Sequence, residues 1–65
     1  MALTLINKGK TQIAGLSFSR FLVVVNGRAM QTVYRRKGLY TLNDEHMKRS
    51  ELIRRLKEQY PCANQ

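Results

Sequence analysis

The segment VVVNGRAMQTVY, residues 23–34, decides the fold of this 65-residue chain. Asn26-Gly27 lies between two runs of strand-forming residues. A two-residue type I′ turn needs positive φ at both positions, and Asn followed by Gly meets that need best. The segment therefore predicts a β-hairpin. An unbroken ladder from this turn sets Val25 against Arg28, Val23 against Met30, Phe21 against Thr32 and Ser19 against Tyr34. Alternation then places Phe21, Val23, Val25, Met30 and Tyr34 on one face, the expected core, and Phe18, Arg20, Leu22, Val24, Ala29, Gln31, Val33 and Arg35 on the other.

Upstream of the hairpin, Leu3–Ile6 and Thr11–Ala14 are short strand candidates separated by the turn-like cluster Asn7-Lys8-Gly9-Lys10. Downstream, Gly38 breaks the chain and Leu39–Leu42 offers a further strand. The sheet is thus expected to hold three to five antiparallel strands over about residues 3–42. In SELIRRLKEQY, residues 50–60, Leu52, Ile53, Leu56 and Tyr60 share one helical stripe, with Glu51, Arg54, Arg55 and Glu58 opposite. Met47 falls off the stripe, so the helix is expected to start at Ser50 as N-cap after a looser turn from Asn43 or Asp44, and to stop at Pro61. Glu51 with Arg55 and Arg54 with Glu58 are i,i+4 pairs that neutralise its outer face. Residues 61–65 read as a frayed tail. The expected architecture is a single α+β domain over residues 1–65, an antiparallel sheet with one C-terminal helix packed on one face. A small SH3-like barrel with an appended helix is the rival.

The chain carries 12 Lys and Arg against 4 Asp and Glu, a formal net charge of +8. Residues 1–42 hold Lys8, Lys10, Arg20, Arg28, Arg35, Arg36 and Lys37 and no acid, while all four acids fall in residues 43–65. Such segregation favours a polyanionic partner, of which nucleic acid is the commonest. One cysteine, Cys62, excludes an internal disulfide framework and suits a reducing compartment. Lysines at 8 and 10 interrupt any apolar leader, and the longest apolar run, Phe21–Val25, is far shorter than a membrane span. A cytoplasmic location with no membrane partner is expected.

Catalytic chemistry finds little material. The lone His46 and the distant Cys62 cannot supply a tetrahedral zinc site, and a Cys62–His46 nucleophile pair would have to be built on the tail. The ending CANQ only formally fits a prenylation box, because Asn64 replaces its usual aliphatic residue. No phosphate-binding glycine motif, dinucleotide fingerprint or nucleophile elbow is present. No enzymatic activity, cofactor or metal is expected.

The cations carry the functional expectation. On the unbroken register, Lys8, Lys10 and Arg28 lie toward the Asn26-Gly27 end of the sheet and Arg20, Arg35, Arg36 and Lys37 toward the other, about 20 Å apart at the usual strand rise. That separation suits phosphates on either side of a DNA groove about 12 Å wide. Arg20, Gln31 and Arg35 would share the outer face, where arginine and glutamine can read guanine and adenine edges from a β-ribbon. Leu22, Val24 and Val33 share that face, and either another strand layer or a second copy of the chain, in a homodimer, would cover them, which makes them candidate dimer or partner contacts. The first expectation is a small DNA-binding protein of regulatory or accessory type, with duplex DNA favoured over RNA. The second is a phage- or plasmid-type effector that binds an acidic host protein, and the third a structured-RNA or ribosome-associated protein.

Overall fold

In the computed structural model, which describes residues 3–61, four two-residue turns build the sheet. Strands β1 (Leu3–Ile13), β2 (Leu16–Val25), β3 (Arg28–Arg36), β4 (Leu39–Leu42) and β5 (Glu45–Met47) follow one another as an antiparallel meander, and α1 (Arg49–Gln59) closes the order. Ala14, Asn26, Lys37 and Asn43 open the turns with φ of 51, 52, 53 and 51°, and Gly15, Gly27, Gly38 and Asp44 complete them, also at positive φ. This backbone twists with the flanking strands, which is why type I′ turns join tight hairpins. The sheet is open, with β1 and β5 at its edges, so the SH3-like barrel is set aside.

Two bulges depart from the sequence-based register. Asn7–Lys10 does not reverse the chain. It is a bulge inside one long strand, with Asn7 opposite Phe21 and Lys10 opposite Ser19, Gly9 at φ 96° and its N–H donating to Asn7 Oδ1 at 2.8 Å. Local side-chain bonding by Asn and the freedom of Gly make a bulge as readily as a turn. In β3, Val25 faces Arg28 and Val24 faces Ala29 as expected, but Val23 faces Gln31, Phe21 faces Val33 and Ser19 faces Arg35. Met30 is the extra residue. One residue of slip exchanges every side chain beyond it between faces. Val33, expected on the outer face, is therefore core at 1% exposure, while Met30 is exposed and Tyr34 lies with Arg20 on the opposite face.

Helix α1 covers the face that carries Phe21, Val23, Val25, Val33, Tyr40, Leu42 and Met47, with Leu52 and Leu56 both fully buried against them. Leu3, Leu5 and Tyr60 pack at the margin. The stripe read from the sequence is the buried one, but its start is not Ser50. Met47, paired with Tyr40, belongs to β5, so the sheet runs to residue 47 and the helix begins directly after Lys48, with Leu52 N donating to Lys48 O at 2.9 Å. Ser50 falls inside the first turn, and Lys48 makes no side-chain cap. At the start of α1, Arg49 Nη1 donates to Tyr40 OH at 3.3 Å; just past its end, Gln31 Nε2 donates to Tyr60 OH at 2.8 Å. The helix thus runs from the Lys37-Gly38 end of the sheet toward the Asn26-Gly27 end. The sequence-based readings of Cys62 and of residues 62–65 as a tail lie outside the described residues.

Candidate nucleic-acid interface

Acids and cations are sorted by element. Glu45, Glu51 and Glu58 are all engaged by Arg54 and Arg55: Arg54 contacts Glu51 and, at 2.8 Å, Glu58, while Arg55 reaches Glu51 at 2.9 Å and Glu45 at 3.4 Å. Both expected i,i+4 pairs are present. The hydrogen bonds from Arg54 and then Arg55 hold the Glu51 carboxyl below its ordinary range, and the same contacts raise the two guanidinium pKa values. By contrast, Lys8, Lys10, Arg20, Arg28, Arg35, Arg36 and Lys37 form no ion pair among the described residues. Among the described residues, no carboxylate answers the positive field of the strands.

Four of these cations meet at one end of the sheet. Lys10, Arg35, Arg36 and Lys37 border a shallow groove of about 380 Å³, with Ser17 and Ser19 between them. The cause is the ladder. Lys10 pairs with Ser19, Ser19 with Arg35 and Arg35 with Tyr40, so one cross-strand row carries Lys10 and Arg35 on the helix side. The Lys37-Gly38 turn brings Arg36 and Lys37 to the same place from the strand end. The Arg35 guanidinium also lies 5.9 Å from the Tyr40 ring centroid, and Arg49 bonds the hydroxyl of that ring, so Tyr40 holds two arginines together. Arg49 escaped sequence reasoning, since only the placement of the helix start beside Tyr40 reveals it.

Three site expectations are corrected by this geometry. Lys10 joins the triplet Arg35-Arg36-Lys37 and Lys8 lies mid-sheet opposite Arg20, because β1 does not reverse at residues 7–10; Arg28 alone stands at the Asn26-Gly27 end. The two cation groups bridging a duplex groove are therefore not formed. The base-reading trio is split by the β3 bulge: Arg20 is on the uncovered face, whereas Arg35 and Gln31 are on the helix side, Gln31 bonded to Tyr60. Of the three proposed contact residues, Val33 is buried, while Leu22 and Val24 are half-buried on the uncovered face.

That uncovered face holds a second arrangement, one the unbroken register hid. Arg20 and Phe18 alternate along β2, and Tyr34 and Arg36 along β3. Arg20 pairs with Tyr34, and Arg36 lies one residue beyond the Ser19–Arg35 pair, beside Phe18. Two aromatic and two arginine side chains thus form a checkerboard. The Phe18 and Tyr34 rings touch edge to face, 6.3 Å between centroids at 77°. The β1–β2 hairpin projects past β3 and bends over this face, so Ile13 and Leu16 border hollows of about 370 and 390 Å³ shared with Thr41 and His46 of β4 and β5. Phe18 borders both hollows as well as the cation groove.

No three metal-ligating side chains come together among the described residues, and no described helix is long and apolar enough to cross a membrane. His46 shares a hydrogen bond of 3.2 Å with Thr41 on the exposed surface. No protein-family model, curated protein or solved structure matches the chain.

Proposed function

We propose that the protein is a small DNA-binding protein of regulatory or accessory type, acting without catalysis in the cytoplasm. The observation that carries this reading is the groove ringed by Lys10, Arg35, Arg36 and Lys37, cations with no ion-pair partner among the described residues. Four positive charges crowded at one sheet end repel one another in the free protein, and a sugar–phosphate backbone relieves that repulsion by replacing condensed counterions. Arg49, bonded to the hydroxyl of the ring over which Arg35 lies, adds a cation on the α1 side of Tyr40. Arg20 and Lys8 supply outlying contacts, and Arg28 a remote one.

Anisotropy titrations of the full chain against DNA and against polyglutamate of equal charge, at two salt concentrations, test the reading. DNA binding that weakens with salt and exceeds polyglutamate binding is expected. Equal affinity for the two polyanions overturns it. A second reading, an acidic protein partner, draws on Leu22 and Val24, which lie half-buried on the uncovered face beside exposed Ile6. Such an apolar patch rimmed by arginines suits a protein contact. On that reading Leu22→Ser and Val24→Ser abolish binding, and loss of Lys10 or Lys37 only slows association.

A further inference from the structure

The uncovered face joins two features that a phosphate grip alone leaves unused. Phe18 and Tyr34, both half-buried, form an aromatic pair on the face opposite α1, and Arg20 and Arg36 occupy the alternate corners of the same four-residue square. At the usual strand rise, neighbours on one face of one strand stand about 6.6 Å apart, so each ring has an arginine within side-chain reach on two sides. The bent hairpin tip makes this end of the face concave, and the ring of Phe18 borders the hollows on either side.

We propose that this face binds single-stranded DNA, with unpaired bases stacked on Phe18 and Tyr34 and the phosphates between them held by Arg20 and Arg36. The proposal rests on the DNA-binding reading above and specifies the form of the DNA. Aromatic side chains gain from bases only when the base faces are free, and a duplex keeps those faces stacked inside. Phe18, Arg36 and Lys37 border both the hollow beside the square and the cation groove, so a strand leaving the square toward Lys37 rounds the sheet end to reach Lys10 and Arg35 on the helix side.

Charge decides against the other occupants. In a two-fold contact between copies, the same patch faces itself, so Arg20 and Arg36 of both copies, four arginines, would be gathered into one contact. Among the described residues bordering the two hollows Asp44 is the one carboxylate in each copy, so two carboxylates would face four arginines. An acidic peptide would satisfy the arginines but offers the rings no flat π-surface. The choice of deoxyribose over ribose is carried over from the DNA-binding reading above, and the oligouridine arm of the test decides it.

The test uses the full chain, wild type and the variants Phe18→Leu, Tyr34→Leu and the double variant, each first checked for cooperative melting. Labelled oligothymidine of about fifteen nucleotides, oligouridine and a duplex of the same length are titrated by anisotropy. Oligothymidine is expected to bind about tenfold or more tighter than the duplex, and the double variant to lose about tenfold on oligothymidine with little change on the duplex. The chain has three tyrosines and no tryptophan, so quenching of tyrosine fluorescence by oligothymidine but not by duplex reports stacking even if a variant fails to fold. Folded variants that bind oligothymidine like the wild type, or an absence of quenching, overturn the proposal and leave the phosphate grip standing. Tighter binding of oligouridine overturns the choice of DNA. A dimer that dissociates before DNA binds overturns the free face, and a chain that binds no nucleic acid at all takes the DNA-binding reading with it.

Discussion

Lys37 is the residue where folding and binding pull in opposite directions. It opens a type I′ turn at φ 53°, a left-handed conformation that costs a residue with a Cβ about 1–2 kcal/mol and that Asn tolerates better. Its charge stands at the rim of the cation groove. Lys37→Asn is therefore expected to raise the unfolding free energy by up to about 1 kcal/mol while weakening DNA binding. Ala14, at φ 51° in the equivalent position of the first turn, separates the two effects, since it carries no charge. Ala14→Asn should give a similar stability gain in urea melts with DNA affinity unchanged. The same residues explain what the sequence concealed: Asn26-Gly27 announces its turn, whereas Ala14-Gly15 and Lys37-Gly38 lack the usual first residue, and the strands on either side supply what their propensity withholds.

Among the elements, α1 was the most legible, because its apolar stripe is set by local spacing that no other part of the chain can shift. Leu52 and Leu56 are fully buried, and in so small a core Leu56→Ala should cost about 2–5 kcal/mol, enough to abolish a cooperative thermal transition near room temperature. The outer face of the helix governs acid stability. With its carboxyl held below the ordinary value of 4.5 by Arg54 and Arg55, Glu51 binds a proton more readily in the unfolded chain than in the folded one. Its contribution is full above that value and is lost as pH falls below it, so Tm should drop on acidification, and Glu51→Gln should flatten that limb of the profile. Strand pairing was less legible. An extra residue such as Met30 leaves no mark on an alternating pattern, yet it moved Val33 into the core, drew Tyr34 beside Phe18 and separated Arg20 from Gln31 and Arg35. The turns at Asn26-Gly27 and Gly38 survived this error; the turn expected at residues 7–10 and the composition of each face did not, and β5 stands where a looser turn was expected.

At the scale of the whole molecule, the chain is divided between Arg54 and Arg55 of α1, answered by Glu45, Glu51 and Glu58, and a sheet whose cations are answered by none among the described residues. That division was readable from charge position alone, since every acid lies beyond residue 42. The convergence of Lys10 on Arg35, Arg36 and Lys37 was not, because it depends on a long-range pairing through Ser19. The consequence is a charged end on a molecule of 39 × 20 × 15 Å, with an aromatic floor beside it. The dependence of oligothymidine affinity on salt measures that end most directly. If about four cations meet phosphates, log affinity should fall against log salt with a slope near −2.8 for a single strand, or near −3.6 for a duplex, and each of Lys10→Gln and Lys37→Asn should reduce the single-strand slope by about 0.7. A slope near zero, or one that neither substitution changes, would contradict a polyanion-binding surface at this end of the sheet.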